Sequence, residues 1–337
     1  MVKFGLSFLA ARPEDASAVE EAGFDSVWVY DHFAPFSHQS GLRDPVTGGG
    51  LGALPILPLI LANTIRCVVG TNVLCPTLRY HPAVIAQYFA QLDCLFPGRV
   101  IMGVGAGEAV NEAPIVGRFP PYKERIERLE EAVGLMRKLW TSVDYFSHEG
   151  RYYRSRNLFL YAKPKGKIPV VVSAFGPKSA ELAGKVGDGI TIYWTRPQNR
   201  DLILRRFAEA AAKAGKDPET MTKAAYFPFL GITPNPLPMV RKIKPSLALS
   251  KVSIPEPDPR KIDEMAETLS DEEALQYCTL VPTVDALMGV FDSAFKTGVN
   301  HIIVRDLTSM LIQRKLAPPE AAGWPQKVLP YFREKYK

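Results

Sequence analysis

Short continuous apolar runs alternate along this chain with longer stretches in which apolar residues recur every three or four positions. The runs are Lys3–Phe8, Ser26–Tyr30, Cys67–Leu74, Val100–Val104, Pro169–Ala174, Gly189–Trp194, Ala224–Ile232 and His301–Val304. Most are rich in Val and Ile without polar alternation, the pattern of strands buried on both faces. Helical periodicity fills many of the gaps, over Pro13–Ala22, Pro82–Leu95, Lys123–Leu139, Pro177–Val186 and Asn199–Ala214. In Lys123–Leu139 the stripe is Ile126, Leu129, Val133, Met136 and Leu139, one face of a helix. Eight strands interleaved with helices predict an α/β fold, a (β/α)8 TIM-type barrel spanning residues 1–337 as a single domain.

The spacing is uneven. No helical pattern follows the second strand, where His32–Gly50 is rich in Gly, Pro and Ser. Val110–Pro121 and Pro234–Asp271 are irregular and rich in proline. We therefore expect insertions near residues 32–62, 106–121 and 234–271. In a barrel the loops that follow strands lie over the active site, and loops of this length are usually functional.

Composition narrows the class. Of 337 residues, 47% are hydrophobic and 23% charged, which excludes a disordered chain. The most apolar stretch, Leu51–Ala62, is about a dozen residues long and holds two prolines, against the ~20 that a membrane helix needs. Met1 leads straight into a strand-like run, with no secretory signal expected. The cysteines Cys67, Cys75, Cys94 and Cys278 form no CxxC, so we expect a reducing, cytoplasmic setting with neither disulfides nor zinc. The net charge of +6 is a solvated basic surface or a partner for a polyanionic small molecule. Nucleic acid is disfavoured, because the basic residues are dispersed and no binding motif occurs.

Asp31-His32-Phe33 ends the second strand, which places His32 at the barrel mouth as an acid or base near neutral pH. Gly103, Gly105 and Gly107 close the fourth strand and Glu108 follows them. The glycines let backbone approach a ligand, but a dinucleotide fingerprint would need glycine where Glu108 stands. His32 and Glu108 are thus a candidate acid/base pair on two strands. No His/Cys/Asp/Glu cluster has metal-ligand spacing, and no nucleophile elbow or Walker loop occurs. Between the fifth strand and its helix, Ser173–Ser179 carries Pro177 at the first helical turn, where free N–H groups suit an anion such as phosphate.

These same stretches carry a resemblance. GFDSVWVYDHF (Gly23–Phe33), NVLCPTLRYHPAVIAQ (Asn72–Gln87), FPGRVIMGVGAGEAVNE (Phe96–Glu112) and GPKSAELAGKVGDGI (Gly176–Ile190) resemble the luciferase-like barrel superfamily. Within it they are most similar to the branch that uses the deazaflavin coenzyme F420, its glucose-6-phosphate dehydrogenases and secondary alcohol dehydrogenases. The resemblance implies a barrel with insertions, a homodimer and hydride transfer between a hydroxyl-bearing carbon and F420. It implies that Asp31 contacts the deazaflavin, that His32 takes the substrate hydroxyl proton and that Glu108 protonates the reduced ring. Thr71, Asn72 and Val73 match a bulge behind the ring that often holds a cis peptide. Cys75, Ala106, Gly107 and Asn111 match cofactor contacts. Phe175, Gly176, Lys178 and Ser179 match the loop that holds the phosphate-bearing tail.

For the substrate, the resemblance implies a pocket wall at Phe36, where tryptophan is usual, and at Trp194. It also implies a phosphate clamp of three basic side chains. Arg196 and Lys251 fall at two of those positions and the uncharged Tyr277 at the third. A sugar 6-phosphate is the expected substrate. A small secondary alcohol, a reductase resembling the methylenetetrahydromethanopterin enzymes, an FMN-dependent monooxygenase and a non-catalytic cofactor-binding barrel are the alternatives.

Overall fold

A computed structural model describes residues 1–7, 15–43, 52–195, 199–251 and 255–337, less the side chains of 43 and 248–251. Eight parallel strands close on themselves as a TIM-type barrel. They are β1 (Lys3–Ser7), β2 (Ser26–Val29), β3 (Val68–Thr71), β4 (Val100–Val104), β5 (Val170–Ser173), β6 (Gly189–Tyr193), β7 (Thr222–Ile232) and β8 (His301–Asp306). Each predicted strand is present. Gly5 pairs with Ser26 across β1 and β2, and Gly189 with Thr222 where β6 meets β7 and closes the ring.

Alternation along each strand sorts the side chains. Val27, Val29, Ile190, Ile192, Ile302 and Val304 face outward into the main core under the helices. Trp28, Ile101, Val171, Ala224, Tyr226 and Ile303 face inward. Trp28 plugs the base of the barrel: its indole N–H donates to Ser26 Oγ at 2.8 Å, and that oxygen meets His301 Nε2 at 2.9 Å. His301 is thereby part of a structural network at the base. A Cβ on Gly5 would lie 2.6 Å from Trp28 Nε1, so the bulk of the tryptophan requires glycine beside it.

The predicted helices Pro82–Leu95 and Pro177–Val186 have those bounds, and Tyr122–Thr141 and Arg200–Lys213 lie within a few residues of theirs. The first helix runs Ala16–Glu21, with Phe8, Pro13 and the rest of 8–14 outside the described residues. The inserted segments are more regular than their composition suggests. They hold helices at His38–Arg43, Ala53–Ala62, Ala109–Val116, Leu237–Lys251 and Pro259–Glu267. Proline misleads here in two ways. Pro259 occupies a first helical turn, where it costs nothing, capped by Asp258 accepting the Arg260 N–H at 2.9 Å. Pro58, Pro114 and Pro245 sit inside helices, where packing offsets the lost backbone bond. The hairpin of Phe146–Glu149 and Arg154–Leu158 and the short strand Thr279–Val281 were not expected from the pattern. Pro259–Glu267 lies over the mouth, with Ile262, Met265 and Ala266 against Val110, Ala34 and Phe36.

Two glycine substitutions test this packing in opposite directions. A Cβ on Gly103 would lie 1.8 Å from the Thr71 carbonyl oxygen, so Gly103→Ala must push β3 and β4 apart. We expect a loss of about 1–3 kcal/mol, as for overpacked cores. Gly134, exposed in helix Tyr122–Thr141, has nothing within 4 Å of its added Cβ, and Gly134→Ala should gain about 0.5–1 kcal/mol. Urea unfolding curves measure both.

Candidate active site

The C-terminal ends of the strands surround a cavity of about 910 Å³, open mouth included, with Asp31, His32, Phe36, Glu108 and Asn111 on one wall. Asn72, Val73, Cys75, Ala106 and Gly107 also line it, and Phe175 and Ser179 border it at the helix start after β5. Chain segments from four strands thus bring most of the expected site residues together. The Asn72–Val73 peptide is cis. Gly107 has φ +84°, and a Cβ there would meet Cys75 Sγ at 2.8 Å, so both backbone angle and space require glycine at this turn.

Asn111 organises the pair. Its Oδ1 accepts the backbone N–H groups of Phe33 at 2.9 Å and Ala34 at 3.3 Å. Its Nδ2 must therefore be the atom facing the other way, where it donates to Glu108 Oε2 at 3.0 Å and meets His32 Nδ1 at 3.1 Å. An amide nitrogen has no lone pair to offer, so His32 Nδ1 accepts, and the neutral ring carries its proton on Nε2. The imidazole is held neutral. Burial chiefly, and then the charges of Arg79 and Arg305, push its pKa down to about 4. A hydrogen bond to the Asn111 oxygen would oppose that shift, but that oxygen is occupied by the two backbone groups. The Phe36 ring stands edge-on to the imidazole with centroids 4.6 Å apart.

Glu108 keeps surface toward the cavity, yet the surrounding protein pushes its carboxyl up to about 7, with Glu112 adding to the rise. Because Oε2 is taken by Asn111, Oε1 is the oxygen free to carry the proton. Glu112 is also pushed up to about 7, first by burial. Between Glu112 and Asp31 lies Arg79, which sequence reasoning did not single out. Its guanidinium binds an Asp31 carboxylate oxygen and, at 2.9 Å, the Asp31 carbonyl. Its backbone N–H donates to Glu112 Oε2 at 3.1 Å. Asp31 also accepts the Ala53 N–H at 3.0 Å. Burial pushes the Asp31 carboxyl up, and Arg79 foremost among its partners pulls it back. Asp31 borders the cavity, but both its oxygens are engaged. Arg125, likewise not expected, donates to the Ala106 and Gly107 carbonyls at 3.3 and 3.1 Å and so clamps the glycine turn. The signal for Arg79 was its place in the stretch Asn72–Gln87 that carries the family resemblance; Arg125 sits in an ordinary helical pattern with none.

Several expected residues lie elsewhere. Thr71 is buried and donates to the Gly103 carbonyl at 2.6 Å, tying β3 to β4. Trp194 does not wall the cavity: Tyr193 faces inward, so its neighbour turns outward into the helix-side core, with Arg200 4.0 Å above its ring. Lys178 is exposed and lines an outer groove between helices rather than the cavity. Gly176 begins the turn, closed by Ser179 Oγ donating to the Gly176 carbonyl at 3.0 Å. Arg196 lies outside the described residues, and Lys251 ends the helix Leu237–Lys251 with its side chain outside them too. Tyr277 packs beside the cluster of Phe229, Met239 and Leu307. Among the described residues no helix is long and apolar enough to cross a membrane.

Residues 9–233 match the family model for luciferase-like monooxygenase. An F420-dependent glucose-6-phosphate dehydrogenase of Beutenbergia cavernae is 37% identical over 296 residues, 85% of this chain and 84% of that one. An enzyme of the same name from Nocardia farcinica is 35% identical over 324 residues, covering 90% and 91%. A solved F420-dependent secondary alcohol dehydrogenase, in complex with an F420-acetone adduct, superposes with TM-score 0.85 at 30% identity, covering 98% of both chains.

The tautomer assignment is testable. Asn111→Asp replaces a donor at His32 Nδ1 with a charged acceptor, which favours the imidazolium. The His32 midpoint, read by NMR titration, should rise from about 4 by roughly 1–3 units. An unchanged midpoint would mean that Asn111 does not set the protonation of the ring.

Proposed function

The chain belongs to the luciferase-like monooxygenase family, and from that premise we propose that it is an F420-dependent oxidoreductase acting on a CH–OH group, with a sugar 6-phosphate as substrate. The names of its relatives and the F420 adduct of its structural neighbour support the cofactor. The observation that carries the reading is the pairing of His32 and Glu108 through one amide at the cavity wall. The cavity also fits a polar heterocycle: Asn72 Nδ2, on its lining, is a buried donor with no partner among the described residues and is matched by a ring carbonyl or nitrogen.

Bound there, F420 supplies a deazaflavin that takes up or returns a hydride. Asn72, Val73, Cys75, Ala106 and Gly107 would hold the ring, and the turn of Phe175, Gly176, Lys178 and Ser179 its phosphate-bearing tail. His32 meets the substrate oxygen. With its proton on Nε2 it donates a hydrogen bond to that oxygen. To receive the hydroxyl proton there, the ring must first carry its own proton on Nδ1, so Asn111 governs which role it plays. Glu108, about half protonated near pH 7, delivers a proton from Oε1 on the side of the glycine turn. Phe36 and the helix over the mouth exclude water. The same proposal includes a homodimer, which the family resemblance implies, and a reducing cytoplasmic setting, for which the four dispersed cysteines without a CxxC speak.

Titration with F420 and with FMN tests the cofactor: F420 should bind, and tight FMN binding without F420 binding would favour a flavin monooxygenase. His32→Ala should slow hydride transfer about 10²–10⁴-fold while the Kd for F420 holds within about threefold. Equal loss of both would make His32 structural. Glu108 is the acid only while protonated, so transfer to the deazaflavin should fall as pH rises through about 7. Glu108→Gln should be slow at every pH and lack that limb. The same carboxyl, raised from its ordinary 4.5, favours the fold while protonated, a contribution lost as pH passes about 7.

A further inference from the structure

Alternation along β8 leaves one charged residue facing the barrel interior at the mouth. Ile302 and Val304 turn outward into the core, and Asp306 outward to Trp324, whose indole N–H donates to it at 2.8 Å. His301 and Ile303 turn inward. Arg305 therefore turns inward, one layer above Ile303. Val304 pairs with Leu6 of β1, which sets the next β1 residue, Ser7, beside it. Ile303 pairs with Tyr226 of β7, whose hydroxyl is bonded to that of Tyr30.

Arg305 has no ion pair and no hydrogen bond among the described residues. Its guanidinium carbon lies 4.9 Å from the centre of the Phe229 ring, and its Nε is buried without a partner. Ser7 is 5% exposed, and its Oγ is buried and unpartnered as well. Arg305 thus sits one layer above the strand pair that holds Tyr226, which reaches Tyr30, whose ring lies 5.7 Å from the His32 imidazole, and its charge is felt at both His32 and Tyr226. Arg79 and Arg137 also leave Nε unbonded, but their outer nitrogens meet Asp31 and Asp188, whereas Arg305 has no such carboxylate among the described residues. Leaving one buried guanidinium Nε–H and one buried hydroxyl without acceptors is costly. The planar fork of arginine suits an oxyanion bound through two parallel N–H groups.

We propose that Arg305, with Ser7, forms an oxyanion subsite beside His32 that holds the phosphate or carboxylate of the substrate. The inference rests on the reading above in taking this cavity as the substrate site. It adds that β8 supplies, in Arg305, the residue that selects for the anionic group. Arg305 acts in ground-state binding and positioning, while His32 and Glu108 handle protons.

The test has a binding arm and a kinetic arm. Calorimetric titration of the protein, with and without F420, uses inorganic phosphate and acetate as probes. One or both should bind the wild type, and whichever does identifies the oxyanion. Arg305→Gln should weaken that binding at least tenfold, and Arg305→Lys, which keeps the charge but loses the fork, should fall between. In the kinetic arm, Arg305→Gln should raise KM for glucose 6-phosphate at least tenfold and lower kcat/KM for glucose 6-phosphate at least tenfold more than it lowers kcat/KM for isopropanol. Neither anion binding the wild type, probe binding within twofold in Arg305→Gln, or equal losses for both substrates would overturn the subsite. If Arg305→Gln is unstable by thermal melting, Arg305→Lys decides on the same criteria. Absence of F420 binding would instead overturn the oxidoreductase reading, while the phosphate and acetate titrations still report on Arg305.

Discussion

Arg79 is a buried cation between two buried carboxylates, and the geometry of the barrel mouth follows from that placement. Asp31 comes from the end of β2, Arg79 from the loop after β3 and Glu112 from the helix after β4. One guanidinium thus ties three consecutive strand ends, and Asp31 extends the tie to the helix Ala53–Ala62 through the Ala53 N–H. Removing one partner of such a buried pair typically costs about 3–5 kcal/mol, because the other charge is left unpaired in a medium that solvates it badly. The cluster also sets the local chemistry. Asp31, Glu108 and Glu112 crowd near a single positive charge, so burial and mutual repulsion leave Glu108 and Glu112 holding protons near neutrality. The same positive charge helps keep His32 neutral. A neutral imidazole and a protonated carboxyl within reach of one cavity result from one arrangement of charge.

The two ends of the barrel use similar residues differently. At the base, His301 is buried, held neutral with its pKa pushed down to about 4, and bonded to Ser26, which also receives the Trp28 indole N–H. At the mouth, His32 has a similarly lowered pKa and is engaged through Nδ1, but its ring borders the cavity. Access to the cavity distinguishes the histidine packed against Trp28 at the base from the one at the mouth. Among the described residues, Asn72 Nδ2, Arg305 Nε and Ser7 Oγ are unpartnered donors toward the mouth, and Arg137 Nε is one toward the base.

Which parts of this were legible beforehand depended on whether the signal was local. Strands buried on both faces are continuous Val and Ile runs, and amphipathic helices repeat every three or four residues. Both patterns are written along the chain, so the barrel followed from them. The helices Leu237–Lys251 and Pro259–Glu267 were not legible, because proline and weak periodicity argue for loops. They form because their apolar residues find partners far away, such as Ile262 against Val110. Trp194 was misplaced for a related reason: at a strand end the direction of a side chain is set by register.

By itself, the sequence determined the architecture and the identities of His32, Glu108 and the glycine turn, since each follows from short-range pattern or from an ordered string of residues. Tertiary structure alone decided which of those residues face one another and in what protonation state. The orientation of the Asn111 amide depends on backbone groups 78 and 77 residues away. The pKa values of Glu108 and His32 depend on burial by segments remote in the chain. Arg305 is one basic residue among 41 until the register of β8 turns it inward. Protonation and pairing depend on distance and dielectric, and neither exists until the chain has closed on itself.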